Sequence, residues 1–207
     1  MHIAVVLVIA LSSVCGQMQM PQNAGQQVAF TNVEPVGGTT KRHFFVFTSS
    51  VRNYAIRHDG RSEATPLGAR RQTFWLRRGG SPNVKRVYFA EYEGDLLVEY
   101  EVSGAQNNWG YILRVDQKTL KVKWAATVSA DNLGPGLIDN HELYFSSSNL
   151  LSKLDLQSGS YVWQSELQKF FTFSAPTIRG DKVFFHDESD TDRTVEVEKE
   201  SGRLLKS

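Results

Sequence analysis

Apolar and polar residues alternate along most of this chain. Period-2 runs cover Arg42 to Ser50, Val84 to Gly94, Asp95 to Gly104, Gly110 to Asp116, Lys121 to Val128, His141 to Ser148, Asp181 to Ser189 and Arg193 to Lys199. Alternation sends successive side chains to opposite faces, which predicts half-buried strands. Turn residues such as Asn140, Gly159 and Gly180 separate the runs. Helical spacing is approached only in the first dozen residues and over Ser165 to Phe171. Many short strands with turns between them predict an all-β sandwich, barrel or propeller.

An internal repeat selects among these. Ile112 to Trp124 (ILRVDQKTLKVKW) aligns with Leu151 to Trp163 (LSKLDLQSGSYVW). Asp116 falls on Asp155, Thr119 on Ser158 and Trp124 on Trp163, with a constant offset of 39. Upstream, Leu137 to Phe145 (LIDNHELYF) aligns with Thr177 to Phe185 (TIRGDKVFF) at an offset of 40. The last copy, Thr194 to Leu205, puts Glu198 at the Asp position and Ser201-Gly202 at the turn. An earlier, fainter copy runs from His43 to Ile56. The units lie at about 26–65, 86–128, 134–167 and 173–207, with a basic insertion over 61–83 that is either an insertion or a degenerate fifth unit.

Each repeated residue has a structural role to expect. The Asp accepts from backbone N–H groups just downstream and starts a turn. Gly159 and Gly202 supply positive φ. The Trp opens the following strand and offers a large apolar plate to a neighbouring sheet. Asp116, Trp124, Asp155, Gly159, Trp163 and Gly202 are therefore read as structural. Two hairpins per unit give a four-stranded sheet that must stack on its neighbours, which is the logic of a propeller blade.

The motif Asp-x-x-Ser/Thr-Gly-x-x-x-Trp after a strand resembles the quinoprotein-type (PQQ-like) β-propeller repeat. Leu154 to Trp163 carries it whole. Val115 to Trp124 has Leu120 in place of Gly, and Val197 to Lys206 has Glu198 for Asp and Lys206 for Trp. The resemblance implies an all-β, propeller-like stack of about four four-stranded antiparallel blades. Rings of that family usually have seven or eight blades, so this chain forms a compact ring, an open arc, or an arc that a second copy completes as a homodimer. The quinone-dependent oxidoreductases of the family place an acid, Ca²⁺ and often a vicinal Cys-Cys disulfide around the cofactor. Other members are non-enzymatic scaffolds, and this chain is read as one of those, with no cofactor expected.

Composition adds compartment. Ile3 to Leu11 is a nine-residue apolar stretch, short of the roughly 20 residues that span a bilayer. Small residues follow it, so residues 1–16 read as a secretory signal ahead of a single domain at 17–207. A signal-anchor, or a lipoprotein acylated at Cys15, are the alternatives. The expected location is secreted, or periplasmic in a bacterium, with no stable membrane span. Cys15 is the only cysteine, so its loss with the signal rules out disulfides in the mature chain.

The formal net charge of +1 hides an asymmetry. From Lys41 to Arg86, eleven basic residues face two acids, and from Val87 to Ser207 twelve face nineteen. Arg70, Arg71, Trp75, Arg77 and Arg78 form a basic, aromatic-bearing segment that suits a protein or an acidic polymer. Nucleic acid does not suit an exported chain. Asp187, Glu188, Asp190 and Asp192 cluster in a loop without EF-hand spacing or its Gly, which favours a solvated hairpin loop. His43, His58, His141 and His186 share no metal-ligand spacing, and Ser146 to Ser148 lack a nucleophile-elbow context. No residues are assigned to catalysis or metal binding, and the expected function is an exported protein-binding module.

Overall fold

The computed structural model describes residues 27–34, 44–48, 50, 53–57, 63–66, 83–103, 108–119, 121–129, 131–190 and 192–206. Seventeen short strands form four antiparallel sheets, and no helix occurs among the described residues. The described residues begin with an extended strap that holds two short strands, β1 (Val28–Ala29) and β2 (Thr31–Asn32). The first sheet orders β3 (Phe44–Thr48), β4 (Asn53–Arg57) and β5 (Glu63–Pro66). The second runs through β6 (Asn83–Tyr92), β7 (Asp95–Ser103), β8 (Asn108–Asp116) and β9 (Val122–Ser129). The third has β10 (Leu137–Asp139), β11 (Glu142–Ser147), β12 (Leu150–Asp155) and β13 (Tyr161–Glu166). The fourth has β14 (Thr177–Arg179), β15 (Lys182–His186), β16 (Thr194–Glu198) and β17 (Leu204–Lys206).

These meanders are the blades that the alternating pattern and repeat predict; the first shows three strands among the described residues. Alternation is plain in β15 and β16, where every second residue is buried. It disappears in β11 and β12, which are buried almost throughout because sheets cover both faces of the third sheet. One core lies between the second and third sheets and includes Leu97, Ile112, Leu143, Phe145 and Leu154. Another lies between the third and fourth and includes Tyr144, Trp163, Phe173, Val183 and Phe185. Each such side chain contributes about 1.5–3 kcal/mol of burial.

The strap crosses two sheets. β1 pairs with β10 and β2 with β6, so the strap adds a fifth strand to the third and to the second sheet. Phe30, between them, is buried in the shared core, and its N–H donates to Gly136 O at 2.8 Å. The first sheet is tied in by Ser50, whose N–H donates to Glu91 Oε1 at 2.6 Å. Burial would raise the Glu91 pKa, but the bonds from Ser50 and Gln117 outweigh it and hold the carboxyl below its ordinary value. A register shift recurs just before the turn in each of the last three sheets: at Arg114/Val115, Lys153/Leu154 and Glu196/Val197. Such a bulge re-aims the residues beside it.

Candidate functional site

The connections between sheets are built at these bulges. Asp116 Oδ1 accepts from the N–H groups of Lys118 (3.0 Å) and Thr119 (2.7 Å). Asp155 Oδ1 accepts from the Ser158 N–H (2.7 Å) and hydroxyl (2.6 Å). These bonds, led by the Thr119 N–H and the Ser158 hydroxyl respectively, hold both carboxyls below the usual range. The Asp155 and Glu198 turns end at Gly159 and Gly202, each with φ of 72°. The Trp of the preceding sheet lies over each glycine. A Cβ on Gly159 would fall 2.6 Å from the Trp124 ring, and one on Gly202 would fall 2.5 Å from Trp163. Trp124 Nε1 donates to Leu156 O at 2.9 Å, and Trp163 Nε1 donates to Lys199 O at 3.0 Å. Each indole thus reaches the carbonyl one residue past the repeat acid of the next sheet.

Gly159→Ala meets both obstacles, a positive φ and a rigid ring. It is expected to lower stability by about 2–3 kcal/mol, read as a shift in the urea midpoint. A change under half a kcal/mol would show that the indole can move aside.

The same carbonyls accept from a cation two residues before the repeat acid. Arg114 Nη1 donates to Leu156 O at 2.7 Å, and its Nε pairs with Asp95 at 2.5 Å. Lys153, 1% exposed, pairs with Glu142 at 2.6 Å and Glu200 at 3.5 Å, and its Nζ lies 3.4 Å from Lys199 O. Lys199 in turn pairs with Asp139 of the third sheet at 2.6 Å. Arg114 and Lys153 stand 39 residues apart, as the repeat acids do. That offset is the signal by which the sequence could have revealed them.

The fourth sheet inverts the device. Glu196 occupies the cation's position and pairs with Lys182, and Lys206 stands where Trp is found in the preceding two sheets. Neither carries the donor pair that the neighbouring sheets use. The side of this sheet turned away from the third is polar and self-paired. His186 lies 3.1 Å from both Thr177 Oγ1 and Thr194 Oγ1, Arg203 pairs with Glu198 at 3.3 Å, and the Arg179 guanidinium sits 5.7 Å above Phe184.

Glu99 is a buried carboxyl that sequence reasoning missed. It is fully buried on β7 and meets no cation among the described residues. One oxygen accepts from Gly136 N–H at 2.9 Å, and the other has no partner among the described residues. Burial pushes its pKa well up, against the smaller downward effect of the Gly136 bond.

Arg70, Arg71, Trp75, Arg77, Arg78 and the expected signal at 1–16 lie outside the described residues, as do His43 and His58. The acidic loop serves a local role: Asp187 is buried and accepts from the Ser189 N–H (2.9 Å) and hydroxyl (2.7 Å). Among the described residues, no three His, Cys, Asp or Glu side chains gather to hold a metal ion.

Residues 108–206 match the PQQ-repeat family model described as outer membrane protein assembly factor BamB. No curated protein sequence matches the chain. Among solved structures, BamB from Moraxella catarrhalis superposes with a TM-score of 0.51 at 14% identity, over 84% of this chain and 60% of that one. At this identity the likeness speaks for the fold, and the chain spans about three-fifths of that relative's length.

Proposed function

We propose that this chain, whose residues 108–206 match the PQQ-repeat family model, is a non-catalytic interaction module that binds a protein or an acidic polymer. The observation that carries the reading is how most of the buried and half-buried ionisable groups are spent, Glu99 excepted. Arg114, Lys153 and Lys199, with Asp95, Glu142 and Asp139, bind sheet to sheet and strand to strand. That leaves loops, strand edges and the basic 61–83 segment to meet partners. A scaffold of this kind fits the family description of an assembly factor, whose work is with other proteins. The Ile3 to Leu11 stretch supports export.

The basic segment is the proposed electrostatic part of the site. Wild-type protein should be retained on heparin at low salt and released as salt screens the charge. The variant with Arg70, Arg71, Arg77 and Arg78 all changed to Ala should elute early in the gradient. Unchanged elution would remove the segment from the site. A chromophore or metal that survives exhaustive dialysis would overturn the non-catalytic reading itself.

A further inference from the structure

The strap and the buried carboxyl of Glu99 hold the two sides of one glycine. Phe30 N–H of the strap donates to Gly136 O at 2.8 Å, and Gly136 N–H donates to Glu99 Oε2 at 2.9 Å. The glycine is tightly enclosed: a Cβ there would fall 2.6 Å from Leu143 Cδ1 and 3.0 Å from Glu99 Oε1. The strap also crosses the second sheet at the same level. Asn32 pairs with Tyr88 of β6, and Tyr88 pairs with Glu99 of β7. Phe30, between the two contacts, is buried in one core with Tyr88, Leu133 and Leu143. Glu99 thus sits where the strap steps from one sheet to the next.

The charged and titratable groups described around this carboxyl are committed elsewhere. On β7, Glu101 pairs with Lys85 at 3.5 Å and accepts from Leu133 N–H at 3.4 Å. On β6, Arg86 stands 4.0 Å from Glu101 and donates to Leu133 O at 3.3 Å, and the Tyr88 hydroxyl donates to the same carbonyl at 3.4 Å. On β13, the Tyr161 hydroxyl donates to Thr127 O at 3.2 Å. Burial pushes both tyrosines up to about 12, with Glu99 adding to each, so they stay neutral while a carboxyl titrates. In the connection between the sheets, Asp131 accepts from Asn108. β8 sets Ile112 opposite Glu99, and the strap has no ionisable residue between Val28 and Val33. Glu188, exposed in the loop after β15, bears on Tyr88.

A carboxylate sealed in this setting needs water or a cation. Some part of the enclosure must open to admit one. Among the described ties, the strap has the least to lose. Its strands are two residues each, whereas β6 and β7 pair along nearly their whole length. The second and third sheets are further joined by Arg114 and Trp124 at Leu156 O. Elements with few such ties open first. We propose that the strap, Gly136 and Glu99 form a proton-operated latch, in which the strap is seated across the second and third sheets while Glu99 is protonated and lifts as Glu99 gives its proton to water. Lifting frees Gly136 O and the edges of β6 and β10 that β2 and β1 cover. The latch goes beyond the interaction-module reading and does not depend on it. Burial raises the folded-state pKa of Glu99 well above 4.5, and opening returns it towards the ordinary range. Seating is therefore strongest below the ordinary value and is lost as pH rises through the folded one.

The test follows amide exchange of the full chain by NMR, from below the ordinary carboxyl value of 4.5 upwards. Rates are expressed as protection factors, which remove the intrinsic pH dependence of exchange. The Phe30 and Val33 N–H groups, which donate to Gly136 O and Val87 O, report on the strap. Their protection is expected to fall by up to about tenfold per pH unit once pH passes the ordinary value, while β12 amides keep theirs. In Glu99→Gln, which keeps an acceptor for Gly136 N–H and does not titrate, strap protection should not change with pH. Linkage is reciprocal, so loosening the strap with Phe30→Ala should lower the titration midpoint of the Glu99 carboxyl carbon. Strap protection that is flat with pH in the wild type, or that falls equally in Glu99→Gln, overturns the latch. A fall shared by β12 overturns it as well, because whole sheets would then be parting. An unmoved Glu99 midpoint in folded Phe30→Ala does the same. Should Phe30→Ala not fold, the comparison of wild type with Glu99→Gln decides alone.

Discussion

Trp163→Ala is expected to lower the stability of the fourth sheet by about 4 kcal/mol, the largest loss among the repeat residues. Trp163 is 8% exposed and packs against Tyr144 at 6.2 Å between ring centres. Its ring covers Gly202, and its N–H donates to Lys199 O. Truncation therefore removes a large apolar surface, leaves a cavity, and deletes one donor from a carbonyl to which Lys153 still points. The companion Trp124→Ala should cost less, about 2–3 kcal/mol, because Trp124 is only half-buried. Trp163→Phe should recover part of the loss by packing, without the hydrogen bond. Amide exchange would localise the effect: β15 and β16 should open before β11 and β12, since stacked units fail at their shared interface. Equal losses for the two tryptophans would show that burial is not what sets the strength of these connections.

Glu99→Gln is expected to reverse in sign with pH. Burial raises the folded-state pKa of Glu99 well above its unfolded value near 4.5. Between those two values the folded chain binds a proton that the unfolded chain has released, so stability falls as pH rises, by up to about 1.4 kcal/mol per pH unit. The contribution is fully present below the unfolded pKa and is lost as pH rises through the folded one. Gln keeps the acceptor for Gly136 N–H and does not titrate. The variant should match or fall slightly below wild type below the unfolded-state pKa and exceed it increasingly as pH rises towards the folded-state pKa, measured as urea midpoints across the range. Parallel curves for the two proteins would show that Glu99 has found a cation or water in solution.

Much of the architecture was legible because its causes are local. Alternating burial over β15 and β16 follows from side-chain geometry in a strand, and the Asp155 to Gly159 turn follows from one carboxylate and one positive φ. The Asp–Gly–Trp spacing is a local record of a contact between neighbouring sheets, so it could be read before the contact was seen. The strap was not legible: β1 and β2 are two residues each, too short for any period to register. Glu99 falls at a polar position of the alternating run from Asp95 to Gly104. Its neighbours in sequence give no sign that Gly136, just before the next sheet, closes over it.

The sequence by itself determined the kind of unit: a turn acid, a turn glycine and a tryptophan at a period near 39, hence antiparallel sheets that stack. Tertiary structure alone decided what each unit meets. It set the strap on the first strands of the second and third sheets, left that of the fourth without a paired strand among the described residues, and sealed a carboxyl away from every described cation. The division is physical. Backbone conformation and alternation are set by residues within a few positions of one another, whereas burial and edge pairing depend on segments brought together from tens of residues apart, as Glu99 and Gly136 are, or from more than a hundred, as Val28 and Ile138 are.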